Sequence, residues 1–244
     1  MILSAAQFHP SDDNINKNIN IHMELIKKAC EEQVDFIQFP EMSLCGYQRE
    51  KAELSAFIPN DTRLVPFRNI SSQSGITISM GAPILIDGKL HIGTFIITPN
   101  QEEIYLKHHL HTGEEIYFYE NTSHNPQIEL DKYNLGFAIC YDIENKIHWE
   151  KAFTRHTDIY SAGIFYLPGS IKKLHAMVTK QSLEYNMNVI ISNYCISTYG
   201  MEAGGGSGIW SRNGENIVLL DSSSTGLAIA EKHEENWSGK TVYI

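Results

Sequence analysis

Tyr133-Asn134-Leu135-Gly136-Phe137-Ala138-Ile139-Cys140-Tyr141-Asp142 is a nearly unbroken apolar run that ends on a thiol, a phenol and a carboxylate. Such a run reads as a strand buried on both faces, the kind that occupies the parallel centre of an α/β sheet. Period-two alternation puts Gly136, Ala138, Cys140 and Asp142 on one face, with Leu135, Phe137, Ile139 and Tyr141 on the other. The small residues of the first face predict open space beside the Cys140 sulfur, as a substrate pocket requires.

Working outward, the same alternation of strand and helix recurs on both sides. Toward the N-terminus, Ile2 to Phe8 reads as a buried strand. Asn16 to Glu32 carries Ile19, Met23, Ile26 and Cys30 at helical spacing, and Val34 to Phe39 closes a strand–helix–strand unit. Thr62 to Ser74 is a second helix, capped by Asp61 or Thr62. Ile76 to Ile86 and His91 to Thr98 form a hairpin around Asp87-Gly88, and Glu103 to His109 makes a further strand. Toward the C-terminus come a helix from Lys146 to Thr157, a strand from Asp158 to Tyr166 and a helix from Ser170 to Met187. Strands follow at Val189 to Ile196, Gly208 to Trp210, Ile217 to Leu220 and Gly226 to Lys232. No linker or internal repeat interrupts the chain, so one α/β domain is expected over residues 1–244, with helices outside mixed sheets.

Composition narrows the function. With 42% hydrophobic residues, the 244-residue chain can bury one large core. Its formal charge of −10 argues against nucleic acid and anionic membrane surfaces, both of which attract clustered Lys and Arg. Neither a basic–apolar leader nor a membrane-length apolar stretch is present, so a cytoplasmic setting is expected. Cys30, Cys45, Cys140 and Cys195 form no CxxC pair and read as free thiols.

Three reactive residues share one context. Glu41 follows the apolar run ending Phe39-Pro40, Lys107 follows Ile104-Tyr105-Leu106, and Cys140 follows Phe137-Ala138-Ile139. Ligands bind at the C-terminal edge of open α/β sheets, so three such strand ends can converge on one pocket. Cys30 and Cys195, on apolar faces, read as packing residues, as does Cys45.

The arrangement resembles the nitrilase superfamily of carbon–nitrogen hydrolases. Pro40-Glu41-Met42-Ser43-Leu44-Cys45-Gly46-Tyr47 is similar to the family's glutamate motif, and the segment from Tyr105 to Glu115 is similar to its lysine motif, in which a second glutamate follows the lysine. Gly136 to Asp142 is similar to the nucleophile motif. Weaker echoes are Ser182-Leu183-Glu184-Tyr185-Asn186 and Gly206-Ser207-Gly208-Ile209. The resemblance implies a four-layer α-β-β-α sandwich that commonly dimerises, acting on a small-molecule amide without a cofactor. It also implies roles: Glu41 as base, Lys107 as stabiliser of thiolate and oxyanion, Cys140 as nucleophile, and the Tyr141 N–H as a second oxyanion donor. Glu115 is expected to hold Lys107 or the substrate amide, with Glu114 as the alternative because spacing does not separate neighbours. Tyr47 is expected to pack against the substrate.

His109 and His111 on one strand face, joined by His148, His156 or His175, would suggest a metal-dependent hydrolase, but an ammonium at Lys107 would repel a dication. A cysteine–histidine amidase needs a glycine-flanked elbow, whereas Cys140 lies between Ile139 and Tyr141. No residue favours a non-catalytic binding module. Within the family, Tyr141 in place of tryptophan favours amide or carbamoyl-amide substrates over true nitriles, and an acyltransferase is the remaining option. The arginine that often follows the nucleophile motif is absent, so a neutral or cationic amide is expected in preference to a dicarboxylate monoamide. Arg49, Arg63, Arg155 and Arg212 are the arginines whose loops could alter that expectation.

Overall fold

The computed structural model describes residues 1–234 and 236–244. Two sheets carry the fold. Among the described residues, seven strands cross the first sheet in the order Asn236–Tyr243, Gly226–His233, Ile2–Gln7, Phe36–Gln38, Thr77–Ile86, Lys89–Ile97 and Glu102–Leu106. Six cross the second: Asn216–Leu219, Gly208–Trp210, Asn188–Ser192, Ile159–Gly163, Tyr133–Ile139 and Gln127–Leu130. Each sheet has a parallel centre, with Leu3 paired to Phe36 and Phe36 to Thr77 in one, and Leu135 to Ile159 and Ile159 to Asn188 in the other. Antiparallel strands flank both centres.

The sheets pack face to face. The Phe36 and Phe137 rings meet across them at 6.3 Å, and the Ser161 hydroxyl donates to Gln38 Oε1 at 2.7 Å. Helices Ile15–Glu31 and Val65–Ser74 pack against the first sheet. The former starts at Asn14, whose side chain accepts the Lys17 N–H. Helices Lys146–Thr154 and Ile171–Tyr185 cover the second sheet over a separate cluster of Trp149, Tyr160, Leu174, Val178 and Trp210. Burying each such side chain contributes about 1.5–3 kcal/mol. The result is the four-layer α-β-β-α sandwich. No helix among the described residues is long and apolar enough to cross a membrane.

Local departures from the sequence expectations matter for the site. The strand from Tyr133 stops at Ile139, and Cys140 opens a short 3-10 turn, Cys140–Glu144. The alternation therefore ends one residue before the sulfur. Ala138 belongs to the cluster under the outer helices, and a Cβ on Gly136 would sit 3.0 Å from Thr157, so the small face serves helix and loop packing. The strand expected to reach His109 stops at Leu106, so His109 and His111 do not share a strand face with Lys107. Within the two main sheets, the strands Gln127–Leu130 and Asn236–Tyr243 go beyond the sequence expectation, as does the small hairpin Ser197–Thr198 with Met201–Glu202; Asn236–Tyr243 is largely exposed along its length.

Candidate active site

Glu41 sits in a tight turn just beyond the strand Phe36–Gln38. Two glycines make that turn possible: a Cβ on Gly81 would lie 2.3 Å from the Met42 nitrogen, and one on Gly163 would lie 2.7 Å from the Phe39 carbonyl oxygen. The Tyr194 hydroxyl donates to the Glu41 carbonyl at 2.6 Å, and the Gly81 N–H donates to Ser43 Oγ at 3.1 Å. The backbone is thus pinned on several sides, and the carboxylate is buried.

Lys107 follows the edge strand Glu102–Leu106 of the same sheet and is fully buried. Its ammonium donates to Glu41 Oε1 at 2.7 Å and to both oxygens of Glu114 at 2.8 and 2.9 Å. Glu114 also accepts the Tyr47 hydroxyl at 2.5 Å and the His111 N–H at 2.8 Å. Burial opposes the Lys107 charge, but the carboxylates of Glu41 and Glu114 more than offset it and keep the ammonium protonated. For Glu41, burial dominates: against the pull of Lys107, and helped by the repulsion of Glu114, it pushes the carboxyl up to about 7. Among the described residues, Glu41 Oε2 has no hydrogen-bond partner, although such buried oxygens are nearly always paired.

Cys140 is held with a positive φ of 44°, a conformation that costs a non-glycine residue of the order of 1–3 kcal/mol. The chain therefore makes a sharp elbow at the thiol without flanking glycines. Asp142 holds it in place: its carboxylate accepts the Ile139 N–H at 3.0 Å, the His109 N–H at 2.9 Å and the Tyr105 hydroxyl at 2.6 Å. One buried carboxylate thereby ties the elbow to the segment that follows Lys107. Burial would raise Asp142, yet the His109 hydrogen bond, His148 and Tyr105 bring it down to about 2. The Cys140 sulfur lies 3.6 Å from the Phe165 carbonyl oxygen. Burial, then Glu41 and Glu114, push its thiol well above the usual range despite Lys107, so the resting sulfur is protonated. Lys107 favours the thiolate, but burial and the two carboxylates outweigh it, so a base is needed to take the thiol proton.

The sulfur faces a cleft of about 430 Å³ walled by Tyr47, Arg49, Tyr141, Glu144, Phe165 and Tyr166, among others. Tyr47 and Tyr141, the two tyrosines expected near the substrate, both line this cleft. Glu115 does not: it is exposed, and its carboxylate accepts the Gly113 N–H at 2.6 Å inside its own loop. The partner of Lys107 is Glu114, because the loop turns that side chain inward and its neighbour out to solvent. His109 is engaged by Asp142 at 3.0 Å, and the exposed His111 stacks edge-on against Tyr141 at 5.3 Å. His108 is buried against Tyr105 and His148, whereas His111 lines the cleft. Sequence reasoning missed Glu144 and Tyr166 as wall residues, although the turn's length beyond Cys140 is the signal that places Glu144. It assigned no role to Asp142.

A buried Glu–Lys–Glu cluster behind an elbow cysteine, set between two facing α/β sheets, defines a class of hydrolase architecture. Residues 2–237 match the carbon–nitrogen hydrolase family, and the chain belongs to it, within the nitrilase superfamily. The fold is similar to that of glutamine-dependent NAD+ synthetase from Acinetobacter baumannii, at 22% identity and a TM-score of 0.86. That match covers 97% of this chain but 47% of the synthetase, so this chain spans about half that protein's length. It is also similar to the NitN amidase of Nesterenkonia sp. AN1, at 18% identity and TM-score 0.85, covering 96% of this chain and 93% of the amidase. Nit3 of Saccharomyces cerevisiae matches at 14% identity and TM-score 0.86, with 96% and 90% covered.

Proposed function

We propose that this chain hydrolyses a carbon–nitrogen bond of a small amide or carbamoyl amide through a thioester on Cys140. The observation that carries the proposal is the Lys107 ammonium shared between Glu41 and Glu114 directly behind the Cys140 elbow, with one Glu41 oxygen unpartnered. An amide resists attack because its resonance is lost and a poor leaving group must depart. Since the thiol is protonated at rest, its proton passes to Glu41 as sulfur attacks the carbonyl carbon. A carboxyl near 7 is well matched to accept and return a proton at neutral pH. The oxyanion that forms is met by Lys107 and by the Tyr141 N–H, which lies in the first turn of a helix and has no partner within it; each donor contributes about 3 kcal/mol. Glu41 then protonates the departing nitrogen as the C–N bond breaks. It next takes a proton from water, whose oxygen attacks the thioester and releases the acid and the thiol.

Support comes from the Nesterenkonia amidase, whose structures are described with butyramide bound and with an acetamide moiety added to its active-site cysteine. Glu114 is the positioning residue for Lys107. Glu114→Gln is expected to lower kcat/KM by roughly 100-fold, the scale of one preorganised electrostatic group, whereas Glu115→Gln should differ little from the parent. Equal losses in the two variants would reject the assignment.

The proposal includes a cytoplasmic homodimer, on the family resemblance and on composition. It is tested by ammonia release from a panel of amides, carbamoyl amides and nitriles, with light scattering on the same preparation. Expected are turnover of amides, loss of activity that tracks alkylation of Cys140 by iodoacetamide rather than that of the more exposed Cys30, insensitivity to chelators and a mass of two chains. Turnover that survives Cys140 alkylation would overturn the mechanism, and a monomer at micromolar concentration would overturn the pairing.

A further inference from the structure

Two opposite charges stand on the wall of the cleft, and neither neutralises the other. Arg49 is half-buried there. Arg63 and Arg68 are paired with Asp61 and Glu102, whereas the Arg49 guanidinium has no carboxylate partner among the described residues. Its position is built: the guanidinium carbon lies 5.7 Å from the centroid of the Tyr47 ring, and Tyr47 is anchored through its hydroxyl to Glu114. Gly113 leaves room for it, since a Cβ there would come within 3.3 Å of an Arg49 terminal nitrogen.

Glu144 closes the same turn that Cys140 opens, and this exposed residue lines the cleft. It accepts the Tyr166 hydroxyl at 2.6 Å. Tyr166 is itself fixed, because Asn193 accepts its N–H at 3.0 Å and donates to its carbonyl at 3.1 Å. The carboxylate is therefore oriented and still has acceptor sites to spare. Each charge is tied to the catalytic apparatus: Arg49 through Tyr47 and Glu114, Glu144 through the elbow.

We propose that Arg49 and Glu144 select a zwitterionic amide, whose carboxylate meets the guanidinium of Arg49 and whose ammonium meets the carboxylate of Glu144. The chemical class is the side-chain amide of an α-amino acid. This rests on the amidase proposal above and specifies its substrate. A planar guanidinium matches a carboxylate with two donors, and an ammonium supplies the donors that Glu144 lacks. A carboxylate alone would gain Arg49 but would also face Glu144, the Glu41–Lys107–Glu114 cluster and the chain's −10 charge. An ammonium alone would leave Arg49 without an anion. Two charges on one substrate satisfy both walls, which explains how a chain without arginine just after the nucleophile can still hold a carboxylate.

The test is a square of four amides that differ only in these groups: butyramide, 4-aminobutyramide, glutaramate and glutamine. The shorter square of propionamide, 3-aminopropionamide, succinamate and asparagine runs alongside. In at least one square the zwitterion is expected to show kcat/KM roughly 10- to 100-fold above the uncharged amide, the scale of a charged hydrogen bond. Glutaramate or succinamate should fall below it. Arg49→Met should collapse the advantage conferred by the carboxylate, and Glu144→Gln should collapse that conferred by the ammonium while relatively improving the carboxylate-only substrate. If the uncharged amide is hydrolysed in a Cys140-dependent way but added charges bring no gain, this inference fails and the amidase proposal stands. If no member of either square and no other amide is hydrolysed, both fall together.

Discussion

Cys140→Ala is expected to abolish turnover, with kcat reduced by about 10⁴-fold or more, the scale on which nucleophile removal acts in covalent hydrolases. The thiol's hydrogen bond to the Phe165 carbonyl, at 3.6 Å, is weak, and the elbow is held by Asp142 rather than by the sulfur. The variant should therefore keep its fold and its Tm within a few degrees. Glu41→Gln should come close to it, losing about 10³-fold or more, because the amide neither accepts the thiol proton nor returns it to the leaving nitrogen. Glu41 is needed unprotonated, so kcat/KM of the parent should climb with pH through about 7. Steady-state kinetics on the purified variants check both. Substantial residual turnover in Cys140→Ala, or the same acid limb persisting in Glu41→Gln, would dismiss these roles.

Lys107→Met should show the largest loss of stability. The substitution keeps the side chain's bulk but leaves the buried carboxylates of Glu41 and Glu114 facing one another without their cation. Breaking a buried ion cluster in this way costs about 3–5 kcal/mol, or roughly 10 °C in Tm for a chain of this size. The pH dependence carries a distinct signature. In the parent, Glu41 is raised from its ordinary 4.5 to about 7 on folding, so the folded state binds the extra proton. That contribution to stability is fully present below 4.5 and is lost as pH rises through 7. Without Lys107 the Glu41 carboxyl should hold its proton still more strongly, and the variant should regain stability on acidification from pH 8 toward 5. Asp142, held near 2, works in the opposite direction, but its window lies well below this range. Thermal melts at intervals across that range provide the measurement. A Tm equal to that of the parent would show that the cluster does not carry the load assigned to it.

Much of the architecture was legible because it rests on local periodicity. The apolar runs at Ile2, Phe36, Thr77, Tyr133, Ile159 and Asn188 became the parallel centres of the two sheets, since a strand buried on both faces needs apolar residues at nearly every position. Asp87-Gly88 marked its hairpin because both residues take positive φ, at 51° and 72°, as a tight mirror-image turn demands. The strand Asn236–Tyr243 escaped notice for the converse reason. It is an edge strand exposed along most of its length, with only Trp237 and Val242 packed against the core, so it shows no apolar periodicity and is specified by backbone pairing to Gly226–His233.

The sequence by itself determined the chemical inventory: a carboxylate, an ammonium and a thiol, each at the end of an apolar strand, and a family pattern that joins them. Only the tertiary structure decided how that inventory is wired. Glu114 and Glu115 are equivalent by spacing, and the turn of one loop sends the first inward to Lys107 and the second to solvent. Whether Cys140 rests as thiol or thiolate depends on the balance of burial, two carboxylates and one ammonium. Arg49 enters the cleft wall although nothing near Cys140 in the chain announces it. The physical reason is common to all three. Ionisation and charge complementarity depend on separations of a few ångströms between groups far apart in the chain and on the exclusion of water between them, and neither exists until the two sheets have packed.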